Sequence, residues 1–443
     1  MRMQSTNALF RRATLSSSTT TASIVRRSTL TAATARNFSS STSTSAKNNS
    51  TTTNSISPLQ TTTRTQPNQV PAAVTPSSTR NMASSCSSSP TKGSSGSTFE
   101  KIPNTSIRIL RTVSSVRRFR KALLLDSRSV ALVPTMGALH AGHLSLIRAA
   151  ARENHHVVVS IYVNPAQFGV REDLSSYPVT WDADCAALAA LDRELADDGN
   201  NLGRISAVFA PSTGEMYPSG FPGQEVDSKG SFVTITPVGE VLEGASRPTF
   251  FRGVATVCMK LFNVVQPDRV YFGQKDVQQT VIIKRLVEDF LMPIEKVVVV
   301  PTEREKGDGL ALSSRNVYLG ERRRRVANVL FRALSAAEGV YKGGEGERGR
   351  EQILGAAKEV VRETLEEQMA MEKGKRVRFE VDYLSLADPE TMQELETVDP
   401  RKGGILSGAV RFLEVEEPQE GEDLGHSGGP PVRLIDNIIL PPQ

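Results

Sequence analysis

Two of the five histidines in the chain, His140 and His143, stand three residues apart in the stretch VPTMGALHAGH, around Gly142 and just after an apolar run that ends at Val133. Helix periodicity resumes at Leu144 and Ile147, so the pair falls where a strand ends and a helix begins. A helix start offers unpaired N–H groups and the positive end of the helix dipole, which together bind phosphate. Gly137 and Gly142 let the main chain come close to a bulky polyanion, and two imidazoles there could donate hydrogen bonds to phosphoryl oxygens as charge builds. Zinc would need a third ligand, and only His155, His156 and His426 remain. His155 and His156 would enter a strand on opposite faces, so at most one could help. The reading adopted is a phosphate site with no protein-held metal; a structural pair in an ordinary turn is the alternative.

Three further stretches carry chemistry. YFGQKD, residues 271–276, again runs a strand into a glycine turn and a helix, and Lys275 there could reach the same phosphates as a point charge. DGLALSSRN, residues 308–316, puts Ser313, Ser314 and Arg315 in a loop that could close over a nucleotide, with Arg315 pairing phosphate oxygens bidentately. In YVNPAQFG, residues 162–169, Asn164 and Gln167 are neutral donors and acceptors suited to a small hydroxy acid, and Gln278 and Gln279 stand one turn past Lys275. Each stretch alone reads equally well as solvated surface or linker. Together they mark one site, because a doubly wound sheet gathers its strand ends on one edge.

The elements that must position these residues are short apolar runs alternating with helix-period segments. Strands are expected at 130–133, 157–163, 207–210, 270–272 and 297–300, with helices at 143–153, 182–196, 254–265 and 277–291. Continuous Val and Ile runs with helices between them imply a parallel sheet buried on both faces. The expected fold class is therefore α/β: a doubly wound, Rossmann-like parallel-sheet domain over residues 100–301, followed by a smaller α+β C-terminal lid domain over 302–443. In the latter, helices are expected at 321–342 and 351–370, and strands at 379–386, 409–414 and 432–439. The acidic, Gly/Pro-rich segment 416–431 is expected as a solvated loop between the last two strands.

Residues 1–99 contain no Asp or Glu, while ten Arg and Lys are scattered among Ser, Thr and Asn. Such a segment buries too little apolar surface to fold, and its composition is that of a mitochondrial presequence. Mitochondrial targeting is expected; Met82, as an alternative start, would leave a cytoplasmic form. These basic residues more than account for the net charge of +5, so the rest of the chain has no basic stripe for nucleic acid. No apolar run approaches the roughly 18 residues of a membrane span. Cys86, Cys185 and Cys258 are scattered and odd in number, which argues against disulfides and against a cysteine metal cluster.

At this point the residues resemble the pantothenate synthetases, the pantoate–β-alanine ligases of the HxGH nucleotidyltransferase superfamily. PTMGALHAGH, YVNPAQFG, RPTFFRGVATV, PDRVYFGQKDVQQ and DGLALSSRN follow that family's order and approximate spacing, and VDYLSLAD and LIDNI match near the C-terminus. HxGH alone would leave class I tRNA synthetases and other adenylyltransferases open. The resemblance implies ATP-dependent condensation of (R)-pantoate with β-alanine through a pantoyl-adenylate, with release of AMP and pyrophosphate, by a homodimer. It implies His140, His143, Lys275 and Arg315 as catalytic groups, with His143 matching the residue usually assigned as proton donor. It places ATP against Met136, Gly137, Ala138, Leu139, His140, Ala141, Gly142 and His143, against Gly273, Gln274, Lys275 and Asp276, and against Leu312, Ser313, Ser314 and Arg315. Gln167, Gln279 and Asn164 would hold pantoate and β-alanine, and Mg²⁺ would arrive on the phosphates. Three positions depart from the family pattern: Gln274 stands for a glutamate, Phe250 for a histidine, and Glu303, before a longer 304–308 loop, for an apolar residue. The rival readings are a ligase for another hydroxy acid and amine, and an inactive relative that only binds nucleotide.

Overall fold

A computed structural model describes residues 99–169, 174, 177–343 and 348–443. The presequence expected over residues 1–99 lies outside these, apart from Phe99. The described residues form one compact unit. In chain order its elements are β1 (Arg108–Leu110), α1 (Val113–Leu125), β2 (Val130–Thr135), α2 (Ala141–Glu153), β3 (His156–Ile161), α3 (Trp181–Asp198), β4 (Arg204–Phe209), α4 (Thr213–Met216), α5 (Glu243–Ser246), α6 (Phe250–Val265), β5 (Arg269–Gly273), α7 (Val277–Asp289) and β6 (Lys296–Val300). The C-terminal part adds α8 (Gly320–Arg324), α9 (Val329–Lys342), β7 (Arg348–Gly349), α10 (Arg350–Met369), β8 (Phe379–Ala387), β9 (Thr397–Val398), β10 (Gly404–Phe412) and β11 (Val432–Leu440).

The first six strands form one parallel sheet in the order β1-β4-β3-β2-β5-β6, and helices cover both faces. Alternate residues of each strand feed different cores: Val130 and Leu132 pack with α1, α6 and α7, while Ala131 and Val133 pack with α2 and α3. The winding direction reverses between β2 and β5, which is where a doubly wound sheet opens a crevice. Pairing of β2 with β5 is recorded only at Ala131–Arg269 and Leu132–Val270, so the two strands part before their carboxyl ends. The α/β doubly wound class and the antiparallel C-terminal layer, β11-β10-β8 backed by α9 and α10, agree with the sequence reading.

Several elements differ from expectation. Neither β1 nor α1 was legible, because α1 is rich in arginine and lysine; its helix is set by a Thr112–Ser115 capping box and by Arg120. Arg120 is 3% exposed and bonds the partly exposed Asp268, whose carboxylate also takes the Val130 N–H, so an ion pair ties α1 to the β2 side of the sheet. The single helix expected at 321–342 is broken between α8 and α9 by a turn at 325–328. Two of its arginines are internal struts: Arg322 pairs with Glu422, and Arg323 donates to the carbonyls of Tyr318, Leu319, Leu413, Leu424 and Pro430. Strand β10 starts at Gly404, five residues before the expected start, since small residues and Ser407 hide it from a Val/Ile criterion.

The 416–431 segment is likewise more than a solvated loop. Glu422 pairs with the buried Arg322, Glu416 with Arg376, and Gly425 packs its main chain on Tyr318. The Arg322 side chain is 3% exposed, so removing its partner leaves a cation in a poorly solvated place. Arg322 keeps its bond to the Glu416 carbonyl, which softens the loss. Glu422→Ala should therefore lower unfolding stability by about 3 kcal/mol, at the low end for a broken buried pair. Chemical denaturation checks this, and a loss under about 0.5 kcal/mol would show the segment to be merely solvated.

Candidate active site

The turn between β2 and α2 is built from the main chain outward. Thr135 at the end of β2 donates through Oγ1 to the Ser160 carbonyl and accepts the Gly137 N–H. Gly137 and Ala138 follow with φ of 86° and 51°, a pair of left-handed residues that reverses the chain. The strain at Ala138 is offset by Asp184, which is 2% exposed and accepts the N–H groups of Ala138 at 3.0 Å and Leu139 at 2.8 Å. Thr180 Oγ1 donates to the same carboxylate. Asp184 is a site residue the sequence reading missed, although a signal was present: it shares the buried stripe of α3 with Leu188, Leu191 and Leu195.

The two histidines cap the helix that they open. His140 is the N-cap residue and its Nδ1 accepts the Gly142 N–H at 3.2 Å; His143 Nδ1 accepts the His140 N–H at 3.4 Å. With both Nδ1 atoms accepting, each neutral ring carries its proton on Nε2. The rings lie 4.1 Å apart between centroids. Gly142 is required by space, since a Cβ there would fall 2.9 Å from His140 Cε1. Burial, and then the positive charge of Lys275, holds the His140 imidazole below its ordinary value. Burial, and then His140, pushes His143 down to about 3. The main-chain N–H groups of Gly137, Ala138, Leu139 and Gly142 are thus taken up by Thr135, Asp184 and His140, and both imidazoles line the cleft beside them. Part of the main-chain cradle expected at this helix start is therefore already bonded to protein acceptors.

The carboxyl ends of β2, β3 and β5, with the segment after β6, surround one cleft of about 220 Å³. Met136, His140, Gly142 and His143 line it, with Gly273, Lys275 and Asp276, with Leu312, Ser313, Ser314 and Arg315, and with Asn164, Gln167 and Gln279. Lys275 keeps 15% of its side chain exposed and lies 3.8 Å from Asp276. A wider hollow of about 860 Å³ continues past Lys275, Gln279 and Arg315 toward β11. Gly137, Ala138, Leu139 and Ala141 stand outside the cleft lining, behind the imidazoles, and Gln274 turns its amide to Asn437 on β11. Asn164 is 1% exposed and fully bonded: it accepts the Tyr217 hydroxyl and the Ala166 N–H, and donates to Gln167 Oε1 and the Gly253 carbonyl. It thus orients Gln167 more than it offers itself to a ligand. Gln278 is spent on Val238, Val241 and Glu243, so of this adjacent pair Gln279 is the one that lines the cleft.

The remaining histidines and the unusual positions also have structural accounts. His155 bonds Ser129 and His156 bonds Ser206 at the amino ends of the strands, the edge opposite the cleft. Phe250 takes the Arg247 guanidinium 3.8 Å from its ring centroid, and Arg247 donates to the Gln167 carbonyl. Glu303 lines the cleft while its carbonyl accepts the Leu312 N–H.

A family profile described as Pantoate-beta-alanine ligase matches residues 108–439. The chain belongs to the pantoate-beta-alanine ligase family. Pantothenate synthetase of Roseiflexus castenholzii is 43% identical over 331 residues, covering 75% of this chain and 99% of that protein. The crystal structure of pantothenate synthetase from Thermus thermophilus superposes with a TM-score of 0.58 at 38% identity, over 76% of this chain and 100% of that one. The pantoate-beta-alanine ligase from Francisella tularensis, complexed with beta-gamma ATP and beta-alanine, gives 0.52 at 28% identity over 75% and 97% of the two chains. The resemblance read from the sequence is borne out, and the enzyme is a ligase that joins pantoate and β-alanine through an amide bond.

The depressed His143 value gives the ligase a signed pH dependence. The unfolded chain takes up a proton near 6.5 whereas the folded chain does so only near 3, so this residue's contribution is complete above 6.5 and is lost as pH falls toward 3. Denaturant titrations across that window should show a shallower fall for His143→Gln, which cannot titrate. Identical slopes for the two proteins would show the buried neutral imidazole to be wrong.

Proposed function

We propose that the ligase works in two steps through a pantoyl-adenylate, with ATP as the co-substrate. The single observation that carries this reading is the cleft itself, in which two neutral imidazoles, Lys275 and Arg315 share a wall with Gln167 and Gln279. In the first step a pantoate carboxylate oxygen attacks the α-phosphorus; that P–O bond forms, the bond to the bridging oxygen breaks, and pyrophosphate leaves. Two anions meet in this step, so their repulsion must be screened before they align. Lys275 and Arg315 supply the charge, and the Nε2–H groups of His140 and His143 supply hydrogen bonds. His143 stands where the proton donor is expected, and with Nδ1 accepting the His140 N–H, the proton it presents is on Nε2. In the second step the β-alanine amine attacks the acyl carbon, the amide forms, AMP departs with the electron pair, and the amine loses a proton.

Gln167 and Gln279 suit pantoate because an amide binds hydroxyl and carboxylate without adding charge that would quench the nucleophile. The bond from Asn164 to Gln167 Oε1 leaves the Gln167 NH₂ as its free donor. Among the described residues no group of three His, Cys, Asp or Glu could hold a metal. Magnesium would thus be carried on phosphate oxygens, the donors a hard cation prefers, and would spread the charge of the leaving pyrophosphate. The ATP reading draws support from the Francisella relative, solved with beta-gamma ATP and beta-alanine.

The partners are small molecules, and among the described residues no helix is long and apolar enough to cross a membrane. We also propose a homodimer, on the family resemblance, and mitochondrial targeting by residues 1–99, on their acid-free, arginine-bearing composition. Sedimentation at the mass of a single chain would overturn the former, and a cytosolic 1–99 fusion the latter. The chemical reading is tested with pantoate labelled at its carboxylate with heavy oxygen. One labelled atom should appear in AMP, and only when Mg–ATP and β-alanine are supplied. Label in inorganic phosphate, or nucleotide binding with no AMP formed, would overturn the adenylate route.

A further inference from the structure

Asp436 and Asn437, adjacent on β11, are 5% and 1% exposed and lie where the antiparallel sheet meets the wider hollow. As neighbours on a strand they point to opposite sides, and each reaches a different arm of the site. Asn437 Nδ2 donates to the main-chain carbonyls of Gln274 at 2.9 Å and Lys275 at 2.8 Å, while its Oδ1 accepts from Gln274 Nε2 at 3.2 Å. The short 3-10 turn Gln274–Asp276 that carries Lys275 is thereby held from outside its own sheet. Asp436 takes the Arg304 guanidinium in two bonds of 2.6 and 2.9 Å and also accepts the Asn437 N–H. Arg304 in turn donates to the Gly309 carbonyl, lies over the Phe331 ring, and bridges Ala311 at the root of the loop that delivers Ser313–Arg315.

One dipeptide of the C-terminal layer therefore fixes both Lys275 and the stem of Arg315. We propose that Asp436 and Asn437 are positioning residues of the ligase, with β11 acting as the spacer that sets the separation of Lys275 and Arg315 across the triphosphate. The proposal rests on the reading of those two cations as phosphate ligands. Its physical basis is that long cationic side chains have much rotamer freedom to lose, and that a misplacement of about 1 Å costs on the order of a hundredfold in rate. The spacer also explains why Gln274 lies outside the cleft although it neighbours Lys275: its amide is part of the clasp.

Two double-mutant cycles in the full chain test this, read as kcat and as affinity for β,γ-methylene ATP with Mg²⁺. Asn437→Ala should weaken nucleotide affinity and kcat by about tenfold to a hundredfold, with the KM for pantoate changed far less. In a Lys275→Ala background the same substitution should cost less than about twofold, because the group that it positions is gone. Asp436→Asn should behave the same way against Arg315→Ala. Some stability is lost with either residue, so non-additivity is the deciding readout. If Asn437→Ala does not fold, Asn437→Ser, which keeps one donor, should show the same pattern at smaller size. Additive losses, with Lys275→Ala and Arg315→Ala each impaired alone, overturn the positioning role and leave the phosphate reading standing. If those two single variants bind nucleotide as the wild type does, the phosphate reading fails and the proposal fails with it.

Discussion

Strands β2 and β5 pair at two register positions, and the candidate site of the ligase lies in the gap that opens above them. A parallel sheet wound outward in both directions must change direction somewhere, and its strand ends then diverge without a crossover to fill the space. The rest of the site follows from that gap. His140 and His143 enter from the end of β2, Gln167 from the end of β3, Lys275 from the end of β5, and Arg315 from the loop after β6. No one of these elements could hold an anion alone, and burial of the sheet on both faces keeps their spacing rigid.

The imidazole pair meets two demands at once. A helix N-terminus leaves N–H groups unpaired, and short polar side chains usually satisfy them. Here the Nδ1 atoms of His140 and His143 do so, which fixes each ring's tautomer and leaves each Nε2–H for work on another group. Burial lowers both rings, helped at His140 by the charge of Lys275 and at His143 by His140. The turn that presents them carries strain at Ala138, and Asp184, reaching over from α3, compensates for it. The reacting face is thus supported by a carboxylate that lines no part of the cleft.

The C-terminal layer meets the parallel-sheet part through both apolar and polar contacts: Ala387, Met392 and Ile405 join its core, and charged and amide groups add directional bonds. Arg433 crosses to Glu243 and Asn437 holds the turn before α7, while Arg433–Asp382 and Arg304–Asp436 brace the layer's own side of the junction. Within the layer, Arg322 and Arg323 hold the 416–431 segment with bonds to carbonyls and to Glu422. Directional bonds of this kind set register where apolar contact alone would allow sliding.

The sequence by itself determined the winding of the sheet, the placing of the histidines at a strand end, and the family. Those rest on local periods and on contiguous motifs, which a chain expresses without reference to distant residues. Gln167, Gln279, Lys275 and Arg315 were legible for that reason. Only the tertiary structure decided which polar groups are spent and which are free. Asn164 and Gln167 read alike in YVNPAQFG, yet one is consumed by Tyr217 and Gly253 while the other faces the cleft. Gln278 and Gln279 differ in the same way, and nothing in local spacing marks Arg322 and Arg323 of α8 as buried. Asp184, Asp436 and Asn437 act on residues about 45 to 160 positions away. Hydrogen bonds at such separations have no signature in local spacing, because they exist only once the chain has folded.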